Sequence, residues 1–219
     1  HVNPYTGRKA IDEPSIAIWE TGNELSGPAN WTDSISKFIK NIDKNHLVMD
    51  GTYGIELDHL NLTDVDVYTD HFYPPSRSRL LKGLTMVHAA NKVYSLGEFG
   101  WTANPNGGEM DEMLQTCLSH SVCLQAAPWS FFPHADTHGY VQHGDGFTFH
   151  FPGWESKSAM HLIQFMHNYS AAMKQRNVTP FQAPTSKPMI TLAKTVKTTT
   201  SIAWRGTAMA SVYEIQQAL

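Results

Sequence analysis

An α/β fold built on a parallel sheet is what the sequence predicts, and three observations predict it. Short apolar runs rich in Val, Ile and aromatic residues recur at intervals of about 20 to 30 residues. Amphipathic stretches long enough for crossover helices fill the gaps between them. No Gly-rich loop follows the first run, which removes the signature of a dinucleotide site. Alternation of buried strand and helix is the pattern of a parallel sheet covered on both faces. A closed (β/α)8 barrel and an open doubly wound sheet both satisfy it, and periodicity does not choose between them.

The runs lie at residues 15–19, 46–49, 65–68, 92–96 and 122–127. Their length suits strands rather than helices. Helical patterns occupy residues 31–43, where Ile35, Phe38, Ile39 and Ile42 share a face, and residues 79–91, 109–119 and 156–174. Residues 179–188, rich in Pro and small polar residues, read as a linker closing a first domain at 178. Beyond it, residues 189–192, 200–204 and 212–216 alternate in the manner of short strands. Residues 189–219 thereby resemble the start of a fibronectin type III-like β-sandwich, with Trp204 as its core tryptophan; a sandwich needs about seven strands.

Composition narrows the function. With 41% apolar and 11% aromatic residues the chain can build a core. A net charge of −4 leaves no basic stripe for nucleic acid. No run of about 18 apolar residues is present to span a membrane, so a neutral or small partner is expected. Cys117 and Cys123 are either buried thiols or a local disulfide, and neither alternative carries chemistry. Sequons at Asn30, Asn61, Asn168 and Asn177 fit a secreted, extracellular glycoprotein.

A barrel places its chemistry at the C-terminal ends of its strands. The first run leads into Trp19-Glu-Thr-Gly-Asn-Glu24 and the fourth into Leu96-Gly-Glu-Phe-Gly-Trp101. Retaining glycoside hydrolysis needs two carboxyl groups about 5–5.5 Å apart, one protonated and one ionised. Glu24 and Glu98 are the candidate pair. A lone Asn-Glu or Gly-Glu is more often a helix cap or a solvated loop; the two together at run ends, with a His-x-Tyr between them, carry the catalytic reading.

These motifs resemble clan A glycoside hydrolases, and most of all the family five β-mannanases. Asn3-Pro-Tyr-Thr-Gly7, Asp12-Glu-Pro-Ser-Ile16 and Trp19–Glu24 run in step with the stretch leading into the fourth strand of that family, and the likeness extends over residues 1–175 or so. It implies a partial TIM (β/α)8 barrel, strands four to eight, over residues 1–178. It also implies that Glu24 is the acid/base and Glu98 the nucleophile. Asn23 would bind the sugar 2-hydroxyl, His71 would line the subsite, Tyr73 would donate to the nucleophile, and Trp129 would be a stacking platform. The substrate class is a polysaccharide or oligosaccharide, β-1,4-mannan or glucomannan, with β-glucan, exo-acting β-mannosidase action or non-catalytic sugar binding as alternatives. The family pattern places three strand-helix units and an arginine ahead of this stretch, so the chain reads as a truncated piece, inactive on its own. Thr21 stands where a bulky aliphatic residue is commoner.

No cofactor is implied. His134, Asp136, His138, His143 and Asp145 offer possible metal ligands within residues 133–146. A retaining glycosidase uses no metal, so these are expected to hydrogen-bond within a loop.

Overall fold

The computed structural model describes residues 1–102, 108–135, 139–182, 189–190, 204–205, 213–214 and 216. Its main sheet is parallel and five-stranded, in the order β1 (Ile18–Glu20), β2 (Leu47–Asp50), β3 (Val67–Phe72), β4 (Val93–Phe99), β5 (Cys123–Pro128). Spatial order follows chain order, as in an arc of a (β/α) barrel. The strands overlap the five apolar runs, starting one to three residues later. All six residues of β3 are buried, as expected of a parallel strand covered on both faces.

Four helices, α1 (Ala29–Ile42), α2 (Arg77–Ala89), α3 (Glu109–Ser119) and α4 (Lys157–Met173), match the four amphipathic stretches to within two residues at each end. The Ser76 and Ser156 side chains cap α2 and α4 by accepting from the N–H groups of Arg79 and Ala159. Between β2 and β3 the crossover holds only a 3-10 turn, His59–Asn61.

Two compact units make up the chain, His1–Phe99 with Glu112–Pro128, and Gly100–Asp111 with Trp129–Leu219. In the first, Trp19 Nε1–H donates to Asp43 Oδ2 at 2.7 Å, and His46 Nδ1 meets the same oxygen at 2.6 Å. This ties β1 to the end of α1 and to the approach to β2. Cys117 and Cys123 are joined by a disulfide, which links α3 to β5 and decides between the two alternatives left by the sequence. The apolar stripe of α1 is only partly covered: Trp31 is 41% exposed, Phe38 63% and Ile42 58%.

In the second unit the Trp101 indole donates to Phe147 O at 2.6 Å and meets the Phe149 ring edge-on. His161 Nε2 pairs with Asp111 at 2.8 Å. Most of the expected linker and sandwich, residues 179–219, lies outside the described residues. Within it, β8 (Met189–Ile190) and β9 (Trp204–Arg205) pair antiparallel, Ile190 opposite Trp204. Among the described residues no helix is long and apolar enough to cross a membrane.

Candidate active site

Glu24 stands four residues beyond the end of β1, on a loop rather than on the strand itself. That loop is fastened to the segment following β2. Thr21 N–H donates to Met49 O, Gly51 N–H to Thr21 Oγ1 at 2.9 Å, and Leu25 N–H to Gly51 O at 2.9 Å. Thr21, the residue that departs from the family pattern, thus supplies a side-chain acceptor that an aliphatic residue lacks. Gly51 is required by close approach, because a Cβ there would lie 2.1 Å from Gly22 O. The loop delivers Glu24 with φ of +51°, a left-handed conformation that costs a non-glycine residue about 1 kcal/mol or more. Such conformations gather at functional sites, where surrounding contacts hold them.

Glu98 lies on β4, one residue from its end. The β3–β4 register advances by one between Asp70 and His71, so that Asp70 faces Leu96 while His71 faces Glu98 and Gly97 is left over. A bulge of this kind re-aims the side chains that follow it. A Cβ on Gly97 would come 2.2 Å from Thr69 Oγ1 and 2.9 Å from His71 Nε2. Glycine at that position is what lets His71 and Glu98 stand side by side.

The result is a compact group of polar side chains. His71, 3% exposed, hydrogen-bonds Glu24 Oε1 through Nδ1 at 2.9 Å and lies 3.6 Å from Glu98 Oε2. Tyr73 donates its hydroxyl to Glu98 Oε2 at 2.6 Å. Glu24, His71 and Glu98 each offer a ligand atom within 4.8 Å of the others. Two carboxylates and an imidazole at that spacing could hold a divalent metal. They equally satisfy a two-carboxylate reaction, with one carboxyl open to solvent, Glu24 at 39%, and the other more sheltered, Glu98 at 15%.

Two residues at this site carried no role in the sequence reading. Glu20, at the end of β1, has its carboxyl pushed above the ordinary range by burial, with the negative charges of Glu98 and Asp50 adding to the rise and His71 opposing it. Its signal was strand alternation, which sets Glu20 on the face of Ile18 and opposite that of Trp19. Tyr53, on the segment after β2, accepts the His71 N–H at its carbonyl and presents its ring edge-on to the imidazole at 6.0 Å. Asp70 steadies this segment, taking the Ile55 N–H at 3.3 Å and the Tyr94 hydroxyl at 2.8 Å. Burial raises the Asp70 carboxyl above its usual range.

Asn23 is exposed beside Glu24. Trp129 follows β5 directly and belongs to the second unit, where it donates its indole N–H to Asp145 Oδ2 at 2.6 Å. Of the loop 133–146, positions 136–138, including Asp136 and His138, and the His134 side chain lie outside the described residues. His143 and Asp145 are paired with each other at 2.7 Å.

Residues 1–72 match the family model described as GH family 5 beta-mannosidase-like. Over that stretch the chain is similar to family 5 glycoside hydrolases. A probable mannan endo-1,4-β-mannosidase A-2 of Aspergillus terreus is 32% identical, the likeness covering 30% of this chain and 23% of that protein. The fold resembles that of the endo-β-1,4-mannanase from Thermotoga petrophila, with a TM-score of 0.66 and 21% identity over 82% of this chain and 49% of that one. It also resembles the endo-1,4-β-mannanase from Rhizomucor miehei, with a TM-score of 0.61 and 23% identity over 80% of this chain and 58% of that one. A family 5 mannosidase from Rhizomucor miehei in complex with mannosyl-fructose gives a TM-score of 0.60 at 16% identity, over 80% of this chain and 56% of that one. The chain therefore has the α/β fold of a partial TIM barrel, and it spans under a quarter of the Aspergillus protein and about half of these structures.

Proposed function

We propose that the protein to which this chain belongs is a secreted retaining β-glycosidase acting on β-1,4-linked mannan or glucomannan. The observation that carries the reading is the group Glu24, His71 and Glu98, with ligand atoms within 4.8 Å of one another and the Tyr73 hydroxyl seated on Glu98. The spacing is compatible with attack by one carboxylate while the other moves the proton.

In the first step the ionised Glu98 attacks the anomeric carbon, and the protonated Glu24 gives its proton to the departing glycosidic oxygen. A covalent glycosyl-enzyme and a free aglycone end result. In the second step Glu24, now ionised, takes a proton from water as its oxygen attacks the same carbon, releasing Glu98. Two inversions give net retention. Tyr73 holds the nucleophile in place by donating its hydroxyl to it. His71 orients Glu24, Asn23 holds the sugar 2-hydroxyl, and the Trp129 indole stacks against a sugar face.

The mannan assignment is supported by the likeness to the Aspergillus, Thermotoga and Rhizomucor proteins, each named as a mannanase or mannan-cleaving mannosidase. Exo action is a second reading, favoured by the mannosidase-like description of the matching family model. Secretion is supported by the Cys117–Cys123 disulfide, since such bonds persist in oxidising compartments, and by the exposure of all four sequon asparagines. A mobility shift on enzymatic deglycosylation tests it.

The decisive experiment replaces each carboxylate in the full-length protein. Glu98→Gln is expected to abolish turnover of mannan while leaving oligosaccharide binding. Glu24→Ala is expected to lower turnover about 10²- to 10⁴-fold, with partial rescue by azide. Full activity in either variant overturns the assignment.

A further inference from the structure

In the second unit one carboxylate holds together a group of aromatic rings. Asp145 Oδ2 accepts the Trp129 indole N–H at 2.6 Å and also meets His143 Nδ1 at 2.7 Å, while Oδ1 accepts the Phe147 N–H at 2.9 Å. The His143 ring stacks on Phe132, with centroids 5.6 Å apart, and stands edge-on to Trp129 at 5.3 Å. His143 N–H is itself anchored on Thr148 Oγ1 at 3.0 Å. His143 is 47% exposed and Trp129 half-buried, so the rings are fixed in orientation yet open to solvent. An indole with a partner for its N–H can turn only at the cost of that hydrogen bond. Asp145 is dedicated to acceptance: the Phe147 N–H first, then the Trp129 N–H and His143 against a smaller opposing effect of burial, hold its carboxyl down to about 2.

We propose that Asp145 is a positioning residue for sugar binding, fixing the planes of Trp129 and His143 so that the two rings form one preset surface for a β-linked mannose unit. The inference rests on the mannan reading above and adds to it the device that orients the platform. With Nδ1 engaged by Asp145, Nε2 is the His143 ring atom left to meet a sugar hydroxyl. Because the His143 ring stands edge-on to the indole, a pyranose meets this corner with its C–H face on Trp129 and a hydroxyl directed at His143. Preset rings bind more tightly than mobile ones because less rotational freedom is lost on binding.

The test is a double-mutant cycle in the full-length protein carrying Glu98→Gln, with β-1,4-mannotetraose as the probe and titration calorimetry as the readout. Trp129→Ala and Asp145→Leu are each expected to weaken binding roughly tenfold, about the loss of one ordered contact. Because Asp145 acts through the rings, the double variant should bind little worse than either single one. A merely structural role would not produce that non-additivity. Asp145→Asn, which keeps an acceptor for the indole, should recover most of the affinity, and Asp145→Ala carries the double-variant comparison if Asp145→Leu fails to fold. Unchanged affinity in the variant that folds, or full additivity of its loss with that of Trp129→Ala, overturns the proposal. Failure of the parent to bind mannotetraose while binding another oligosaccharide overturns the mannan reading instead, and this inference falls with it.

Discussion

Tyr73 Oη donates to Glu98 Oε2 at 2.6 Å, joining the loop that follows β3 to the C-terminal end of β4. Tyr73→Phe removes the donor that holds this carboxylate in place. A hydrogen bond to a charged group contributes about 1.5–3 kcal/mol, so kcat/KM for mannan in the full-length protein should fall about 10- to 100-fold. An unchanged kcat/KM would mean that the Tyr73 hydroxyl does not position Glu98.

Gly97 provides a second test, because it has no side chain to take part in the chemistry. Gly97→Ala would place a methyl group 2.2 Å from Thr69 Oγ1 and 2.9 Å from His71 Nε2, and both of those residues are buried on β3. Overpacking of this kind costs about 1–3 kcal/mol. We expect a lowered Tm together with a loss of activity larger than the stability change explains, because His71 must move off Glu24. Wild-type activity at 25 °C would show that the His71 position is not critical.

Much of this arrangement was legible in the sequence, and the limits have physical causes. The buried strands announced themselves because a parallel strand carries apolar residues on both faces, as Val48 and Met49 do in β2. The helices did so because an amphipathic face repeats. Glu24 and Glu98 stood out by lying where apolar runs give way to turns. Their juxtaposition was only implied, because it depends on the bulge that leaves Gly97 unpaired in the β3–β4 register. Nothing in the string Leu-Gly-Glu reports a register shift. Tyr53 was missed for a related reason: it follows no strand end conspicuously, and it reaches His71 through the pairing of Leu25 with Thr52 across two loops. Glu20 was visible only as one letter of a motif. Whether Cys117 and Cys123 pair depends on where α3 ends relative to β5, which periodicity leaves open by a residue or two.

The Asp43–His46 pair predicts how stability varies with pH. Both are buried, at 3% and 8% side-chain exposure, and lie 2.6 Å apart. Burial pushes the Asp43 carboxyl upward, but hydrogen bonds from His46, Trp19 and the N–H groups of Asn45 and His46 outweigh it and leave it far below the carboxylate range. The bond to Asp43 raises His46 above its ordinary value, against burial. A raised His contributes stability that is fully present below its unfolded pKa, about 6.5, and is lost as pH climbs through the raised value. A depressed Asp contributes stability present above about 3.9 and lost on acidification. Their joint contribution is complete between roughly pH 4 and 6.5. Urea titrations should show His46→Gln flattening the alkaline decline, and an unchanged slope would remove the pair from the account.

The stripe on α1 leads to a prediction about the isolated chain. Trp31, Ile35, Phe38 and Ile42 recur at helical spacing, yet Trp31, Phe38 and Ile42 remain 41%, 63% and 58% exposed. Within the described residues, β1 and β5 each pair on one side only, leaving two open edges. Open edges and uncovered apolar stripes are both sites of association. We expect the purified 219-residue chain to self-associate at micromolar concentration and to hydrolyse no mannan, since among the described residues no strand pairs with the outer edge of β1, from which the loop carrying Glu24 departs. Sedimentation velocity reads the first expectation and release of reducing sugar the second. Phe38→Ser with Ile42→Lys should shift the distribution toward monomer without restoring turnover, because solubility and closure of the sheet are separate requirements. A monodisperse chain that turns over mannan would show that the five strands alone hold Glu24 and Glu98 at working distance.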